Sequence, residues 1–314
     1  MSDIGITALL PIYNGAKYLP DLMKTLSKIC DPEDEILVIS DGSTDETNEM
    51  ILGWARIDDR VHPIVQNNKG LVATLNIGVE KASHDWVARF DVDDTYAENR
   101  LMIQRAHIQE GVAAIFSDYG FQSNSHRSMG RVPSAITPMG VVASLSTGNR
   151  TAHPSVIFNK NIALNAGGYR QEDFKAEDLA LWIRMSALGN LISVPDLLLN
   201  YTLTKNSITR SNLDDSRTAR DRVLASYVTE VNLDNIWNSY ETTKHKYSEI
   251  DLGGLRLLLH LLDLSRIAVR KGSSHGIKSE IRQEVLKISA NPQLALTVGK
   301  LVLEKILRKI YLAT

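Results

Sequence analysis

Apolar positions follow two rhythms over the first hundred residues. Short apolar runs read as buried strands at Ile6-Thr7-Ala8-Leu9-Leu10, which Pro11 ends, and at Ile36-Leu37-Val38-Ile39; residues 61–65 look like a third strand and Trp86-Val87-Ala88-Arg89-Phe90 like a fourth. Between them apolar residues recur at helical spacing, as Leu19, Leu22, Met23 and Leu26, and again as Met50, Ile51, Trp54 and Ile57. Residues 71–82 form a third helical pattern. Ser43-Thr44-Asp45-Glu46 has the form of a capping box, so the second helix is predicted to start at Ser43 with Glu46 returning the bond. Strand alternating with helix implies crossover connections and a mostly parallel sheet.

Beyond Asp94 the rhythm loosens. A helix is predicted near residues 100–109, strands at 113–117 and 156–158, and a helix at 177–188 with Leu179, Trp182, Ile183 and Ser186 on one face. Residues 122–138 are polar and rich in Ser, Arg and Pro, which predicts an exposed, mobile loop. From about Ala219 onward only helical patterns remain.

Composition changes this picture little: 43% hydrophobic and 23% charged residues are ordinary for a globular chain of 314 residues, enough for one large domain or two smaller ones. Charge changes it more. Residues 253–314 carry 11 Lys/Arg and 4 Asp/Glu, a balance of +7, and the preceding residues carry 24 and 33, a balance of −9. A basic tail on an acidic body suits an anionic membrane surface, or forms a solvated helical face. Within the tail, Leu303, Ile306, Leu307 and Ile310 share one helical face, which suits a membrane, the catalytic body or a second subunit. Cys30 is the only cysteine, so no intrachain disulfide or Cys-rich metal site can form. No basic region with an apolar core opens the chain and no run reaches membrane-spanning length, so a cytoplasmic protein is expected, with the cytoplasmic face of the membrane as a further site.

Chemistry gathers where the predicted strands end. Asp91-Val92-Asp93-Asp94 places three carboxylates after the fourth strand, either as a divalent-cation site completed by substrate phosphates or as a polar turn capping the next helix. The first strand leads into Pro11-Ile12-Tyr13-Asn14-Gly15 and the second into Ser40-Asp41-Gly42-Ser43-Thr44-Asp45. In a parallel sheet all three segments emerge at one edge, where open α/β sheets bind ligands. An aromatic face there can stack on a base and a carboxylate can accept its N–H. No G-x-G-x-x-G follows the first strand and no P-loop occurs, which counts against dinucleotide-dependent dehydrogenases and P-loop NTPases.

The ordered set Pro-x-Tyr-Asn at 11–14, Asp-Gly-Ser-Thr-Asp at 41–45, Asn67-Asn68-Lys69-Gly70 with Leu75-Asn76-Ile77-Gly78, and Asp-Val-Asp-Asp at 91–94 resembles the nucleotide-sugar-binding half of glycosyltransferase family 2. The resemblance spans about residues 5–205. It implies the GT-A fold, an α/β class with a Rossmann-like, mostly parallel central sheet flanked by helices, here with a C-terminal helical extension. The implied organisation is a catalytic domain over residues 1–215 (1–100 for the nucleotide sugar, 101–215 for the acceptor) and a helical region over 216–314. Pro11, Tyr13, Asn14, Asp41, Lys69 and Asp93 would bind the nucleotide sugar, with Tyr13 stacking on the base and Asp41 accepting its hydrogen bond. Asp94, with Asp93, would hold Mn²⁺ or Mg²⁺, and Asp91 would support them. Phe174-Lys175-Ala176-Glu177-Asp178, leading into Leu181-Trp182-Ile183-Arg184, resembles the family's Glu-Asp motif and makes Asp178 the base that deprotonates the acceptor hydroxyl. Glu177, Trp182 and His153 of the His-Pro-Ser segment would support the acceptor side. Gly167-Gly168-Tyr169-Arg170 is similar to a recurrent glycine turn of the family.

The expected activity is metal-dependent, inverting transfer of a sugar, from a nucleotide donor of the UDP type, to a hydroxyl of a glycan or lipid-linked glycan. No nucleic acid partner is expected, while an anionic membrane or self-association through the C-terminal helices is. The alternatives are a non-catalytic nucleotide-sugar-binding protein and a sugar nucleotidyltransferase. The second would need a Gly-rich basic loop where Pro11–Gly15 stands.

Overall fold

A computed structural model describes residues 4–123, 125–134, 138, 141–142, 144–145, 151–203 and 213–227. The chain alternates β1 (Ile6–Ile12), α1 (Leu19–Ile29), β2 (Glu35–Asp41), α2 (Thr47–Trp54), β3 (Val61–Gln66), α3 (Leu71–Lys81) and β4 (Trp86–Arg89). There follow β5 (Thr95–Tyr96), α4 (Arg100–Arg105), β6 (Val112–Ser123), β7 (Ser128–Val132), β8 (Ile157–Asn159), α5 (Lys160–Asn165), α6 (Glu177–Met185), β9 (Asn190–Leu203) and α7 (Leu213–Tyr227).

All but β7 form one path, β3-β2-β1-β4-β8-β6-β9-β5, with β7 hydrogen-bonded to β6 outside it. Strands β1 to β4 are mutually parallel, as the alternation predicts. Antiparallel β8 joins β4 to β6, and β5 and β7 are also antiparallel to their partners. Strand alternation divides the core. Ile36 and Val38 face α1 and α2, packing with Leu22, Leu26, Ile51 and Trp54. Leu37 and Ile39 face α3 and α6, packing with Leu75, Val79 and Trp182. A strand buried on both faces favours apolar residues on each, which is why the middle of β2, Ile36 to Ile39, is hydrophobic.

Four expectations change. Pro11 does not end β1, which continues to Ile12 with Pro11 paired to Ile39. The Leu9 carbonyl accepts from Phe90 N–H, so Pro11, two residues on, turns its missing N–H toward the side where β4 has already ended. The capping box does not form. Helix α2 begins at Thr47, Ser43 Oγ accepts from Asn14 N–H (3.0 Å), and Asp45 Oδ1 accepts from Thr47 N–H (3.1 Å). The polar segment after residue 122 contains a strand, β7, whose hairpin is secured by Arg131 and Ser134 on the buried Asp118 carboxylate. Finally, β9 runs 14 residues where no strand was expected.

Helix α7 crosses residue 215 and packs Ala219, Val223 and Leu224 into the same core as Trp182. The basic tail at 253–314 lies outside the described residues. Among the described residues no helix is long and apolar enough to cross a membrane.

Candidate active site

The carboxyl ends of β1 and β2 are laced together. Asn14 takes φ +51°, a left-handed conformation that Asn tolerates better than most residues, and its Oδ1 accepts from Thr44 N–H at 2.8 Å. Gly15 N–H donates to Thr47 Oγ1 (2.9 Å) and Ala16 N–H to Asp45 Oδ2 (3.1 Å). Between these loops Tyr13 stands 57% exposed, an aromatic ring offered to solvent rather than to the core. Pro11 is part-buried in β1.

Asp41 ends β2 and is buried. Its Oδ1 accepts from Gln66 Nε2 (2.9 Å) and Lys69 N–H (2.8 Å), and its Oδ2 from Gly70 N–H (2.9 Å). Its carboxylate thus anchors the loop after β3, while the Lys69 side chain is exposed. Gly42 is required at the next corner: its φ is +75°, and an added Cβ would meet Asn68 N at 2.6 Å.

The acidic cluster follows β4. Asp91 Oδ1 accepts from Arg89 Nη2 at 2.6 Å, and Asp91 N–H donates to the Tyr96 hydroxyl at 2.6 Å. Arg100, wholly buried, stacks on Phe90 with 4.2 Å from Cζ to the ring centroid and donates to the Arg89 carbonyl at 3.0 Å. Burial, reinforced by Asp91, pushes the Asp93 carboxyl up to about 6. Asp94 is buried too, and burial together with Asp91 and Asp93 raises it well above the carboxylate range. One of its oxygens accepts from Thr202 N–H (2.8 Å); the other, Oδ2, is buried with no hydrogen-bond partner among the described residues.

A divalent cation answers that arrangement. It would supply the charge that Asp93 and Asp94 lack and a partner for the orphaned oxygen. Among the described residues no three Asp, Glu, His or Cys side chains converge as a ready-made cage. Mg²⁺-type sites in phosphate chemistry need none, since one or two carboxylates hold the ion and substrate phosphates complete its shell. The donor set fits.

The facing wall comes from the second half. Gly168 takes φ +60°, with Asn76 Oδ1 2.8 Å from where a Cβ would stand. Asn76 then binds the Tyr169 backbone on both sides, accepting its N–H (2.9 Å) and donating to its carbonyl (2.8 Å). The Tyr169 hydroxyl meets His153 Nε2 at 2.9 Å, and burial plus the Arg89 charge keep His153 neutral well below the usual histidine range. Trp182 is fully buried against Phe116, Phe158 and His153. It lies in the core rather than at the open edge.

Glu177 and Asp178 open α6, where the helix dipole favours carboxylates. Lys175, just before them, holds φ +73°, which turns the chain into the helix. Glu177 is buried, with Oε2 unpartnered, and burial plus Asp178 push it up to about 7. Asp178 is half-buried and its Oδ1 accepts from Leu179 N–H at 2.7 Å. Asp91 is thus held on Arg89, whose charge also acts on Asp93, Asp94, His153, Tyr169 and Glu177.

Three site residues escaped the sequence reading, Arg89, Tyr96 and Thr202, and Asn76 stood in a quoted motif without a role. Of the three, Arg89 carried a signal, being a charged residue at a core position of an otherwise apolar strand.

Comparison with known proteins agrees with this geometry. Residues 7–160 match the family model described as Glycosyl transferase family 2. The amylovoran biosynthesis glycosyltransferase AmsE of Erwinia amylovora is 28% identical over 200 residues, 62% of this chain and 74% of that one. The UDP-Gal:alpha-D-GlcNAc-diphosphoundecaprenol beta-1,3-galactosyltransferase of Escherichia coli is 29% identical over 213 residues, 65% and 76% of the two chains. Among solved structures, S. aureus TarS 1-349 in complex with UDP-GlcNAc aligns with a TM-score of 0.55 at 18% identity, covering 84% of this chain and 81% of that one. The mannosyltransferase PcManGT of Pyrobaculum calidifontis, in complex with GDP-Man and Mn²⁺, aligns at 0.54 and 14% identity over 96% and 86%. At such identities the structures speak to the fold, and the fold they share is GT-A. A parallel half, an acidic strand end and a Glu-Asp helix start thus occur together in a chain that carries a glycosyltransferase family 2 domain over residues 7–160 and is a glycosyltransferase.

Proposed function

We propose that the protein transfers a sugar, with inversion, from a nucleotide donor of the UDP type to a hydroxyl on a glycan or lipid-linked glycan. The observation that carries this reading is the unpartnered, buried Asp94 Oδ2 at the carboxyl end of β4, beside Asp93. A site that leaves a carboxylate oxygen unmet is built for something that arrives with the substrate. The names of the curated relatives support an acceptor that is a polysaccharide or lipid-linked glycan, and complexes of fold neighbours with UDP and UDP-GlcNAc support the donor class.

In this reading Tyr13 stacks on the base, Asp41 and the loop it anchors border the base, and Asn14, Pro11 and Lys69 line the same edge. Asp93 contacts the ribose or shares the cation held by Asp94. When bound, that cation would neutralise charge on the departing diphosphate. Asp178, at the facing helix start, accepts the proton of the acceptor hydroxyl as it attacks the anomeric carbon from the side opposite the leaving group. Glu177, whose carboxyl burial and Asp178 push up to about 7, stands beside it. Residues 1–215 are the catalytic unit, and the basic residues 253–314 are suited by charge to an anionic membrane face.

The test is a panel of nucleotide sugars incubated with the full chain, Mn²⁺ and a lipid-linked or oligosaccharide acceptor, assayed for free nucleotide and product. Acceptor-dependent release of UDP, lost on chelation, is expected. Tight donor binding with no release would make the protein a binder, and turnover unaffected by chelation would remove the cation.

A further inference from the structure

Asn76 stands in the middle of α3, where asparagine is a poor choice because its amide competes with the helix for backbone partners. Its neighbours Leu75 and Val79 pack into the same core as Trp182 of α6, so apolar contact alone holds these helices together. Apolar contact is not directional and fixes no register. The Asn76 amide does. Its Oδ1 accepts from Tyr169 N–H at 2.9 Å and its Nδ2 donates to the Tyr169 carbonyl at 2.8 Å, across 93 residues of chain. Gly168 is matched to that contact, since a Cβ there would lie 2.8 Å from Asn76 Oδ1.

Helix α6 grips the same turn from its own side. Arg184 Nε donates to the Ala166 carbonyl (2.9 Å), Nη2 to the Gly168 carbonyl (2.5 Å) and Nη1 to Asp173 Oδ2 (3.0 Å). One guanidinium thus ties both ends of the segment that leads into Glu177 and Asp178. Ala176 N–H donates to the Asp173 carbonyl at 2.8 Å and Ala180 N–H to the Ala176 carbonyl at 3.0 Å, which carries the tie into the first turn of α6. At the start of α3, Lys69 and Gly70 N–H donate to Asp41, and Gln66 Nε2 donates to both Asp41 Oδ1 (2.9 Å) and Thr74 Oγ1 (3.0 Å). A series of hydrogen bonds therefore runs from the end of β2 through α3 and Tyr169 to the helix start that bears Asp178. Asn76 is where it crosses from α3 to the second half.

Resting on the transfer reading above, in which Asp178 is the base, we propose that Asn76 is a positioning residue for transfer. By pinning the Gly168–Tyr169 turn to α3, it fixes the start of α6 relative to the donor edge, so that Asp178 meets a hydroxyl aligned with the anomeric carbon. Asn76 touches neither substrate nor reacting atoms in this role. A misplacement of about 1 Å at such a site is enough to cost about 100-fold in rate.

Three measurements on the full chain test it. Asn76→Ala removes both hydrogen bonds while improving helix propensity, so the chain should stay folded. Its kcat should fall at least about tenfold with UDP affinity in Mn²⁺ within about threefold of wild type. Equal loss of affinity and rate, or a rate loss matched by the unfolded fraction, would reduce Asn76 to packing. In an Asp178→Asn background the same change should lower the residual rate by less than about threefold, because the group it positions is already gone. A full further loss there would show that Asn76 acts on something other than the base. With no donor present, hydrogen exchange should speed at the Tyr169 amide and across residues 166–178 in Asn76→Ala, while β1 and β2 keep wild-type protection. Unchanged protection at Tyr169 would overturn the tie. Should Asn76→Ala not fold, Asn76→Asp, of the same shape but lacking the donor in its ionised form, carries the same expectations. A wild-type chain that turns over no donor defeats the transfer reading itself, and the exchange result then shows independently whether Asn76 ties the two halves.

Discussion

Two buried arginine networks stand at opposite ends of the parallel sheet, and they differ in completeness. At the amino ends, Arg105 donates from Nε to the Ile4 carbonyl, from Nη2 to both oxygens of Asp34 (2.6 and 2.7 Å), and from Nη1 to Asp31. Asp34 in turn accepts from the Ile6 and Asp31 N–H groups, each at 2.8 Å. No atom of Arg105, Asp31 or Asp34 is a buried orphan among the described residues. At the carboxyl ends the network around Arg89 leaves Arg89 Nε and Arg100 Nη1 buried and unmet among the described residues, as are Asp94 Oδ2 and Glu177 Oε2 at the same edge. Folding alone explains the first network, because every donor finds an acceptor. The second is costly as it stands, and a cost retained at one sheet edge marks where a ligand supplies what the chain withholds.

That contrast can be broken by substitution at either end. The largest effect on stability is expected from Asp34→Ala, which strands a buried guanidinium. It should cost about 3–5 kcal/mol in urea unfolding and leave kcat per folded molecule unchanged. A loss of kcat beyond the folded fraction would contradict a purely structural role. At the other end Asp94→Asn should do the reverse. Transfer should fall about 100-fold or more and Mn²⁺ should no longer strengthen UDP binding, while the thermal midpoint holds because the amide oxygen still accepts from Thr202 N–H. A lowered midpoint with metal-dependent binding intact would return Asp94 to the structural class.

Glu177 provides the smallest and sharpest effect. Its carboxyl is raised from an ordinary 4.5 to about 7 by burial and by Asp178, so the native state holds a proton that the unfolded chain releases. The stability from that proton is present below the ordinary value and is lost as pH rises through the native one. The urea midpoint should therefore fall between about pH 5 and about pH 8, by on the order of 1 kcal/mol once the titration is shared with Asp178. Glu177→Gln should flatten that slope, and an unchanged slope would show that another group carries it.

The same contrast explains what could be read from sequence. Strands β1, β2 and β4 were legible because a parallel strand buried on both faces is largely an apolar run, and the carboxylates after β2 and β4 were legible as interruptions of those runs. Strand β9 was not. Pro195 and Asp196 interrupt its apolar positions, and the strand passes them through register shifts between Ser117 and Tyr119 on β6. With β9 hidden, the Thr202 N–H that holds Asp94 was hidden too. The capping box at Ser43–Glu46 failed because the loop after β1, distant in sequence, claimed Ser43 and Asp45. Tertiary partners outbid the local motif in each case. Asp41 was legible as a site residue, but the fold commits three of its acceptor positions to the loop from Gln66 to Gly70.

The division of labour between the two walls, one holding the donor and the other taking the proton, is tested most directly by titrating UDP with Mn²⁺ into Asp178→Asn and measuring transfer by the same protein. The predicted result is affinity within about twofold of wild type with transfer reduced about 1,000-fold. Wild-type transfer in that variant would remove Asp178 from the chemistry. Equal loss of UDP affinity and rate would show that the two walls are not separate in function.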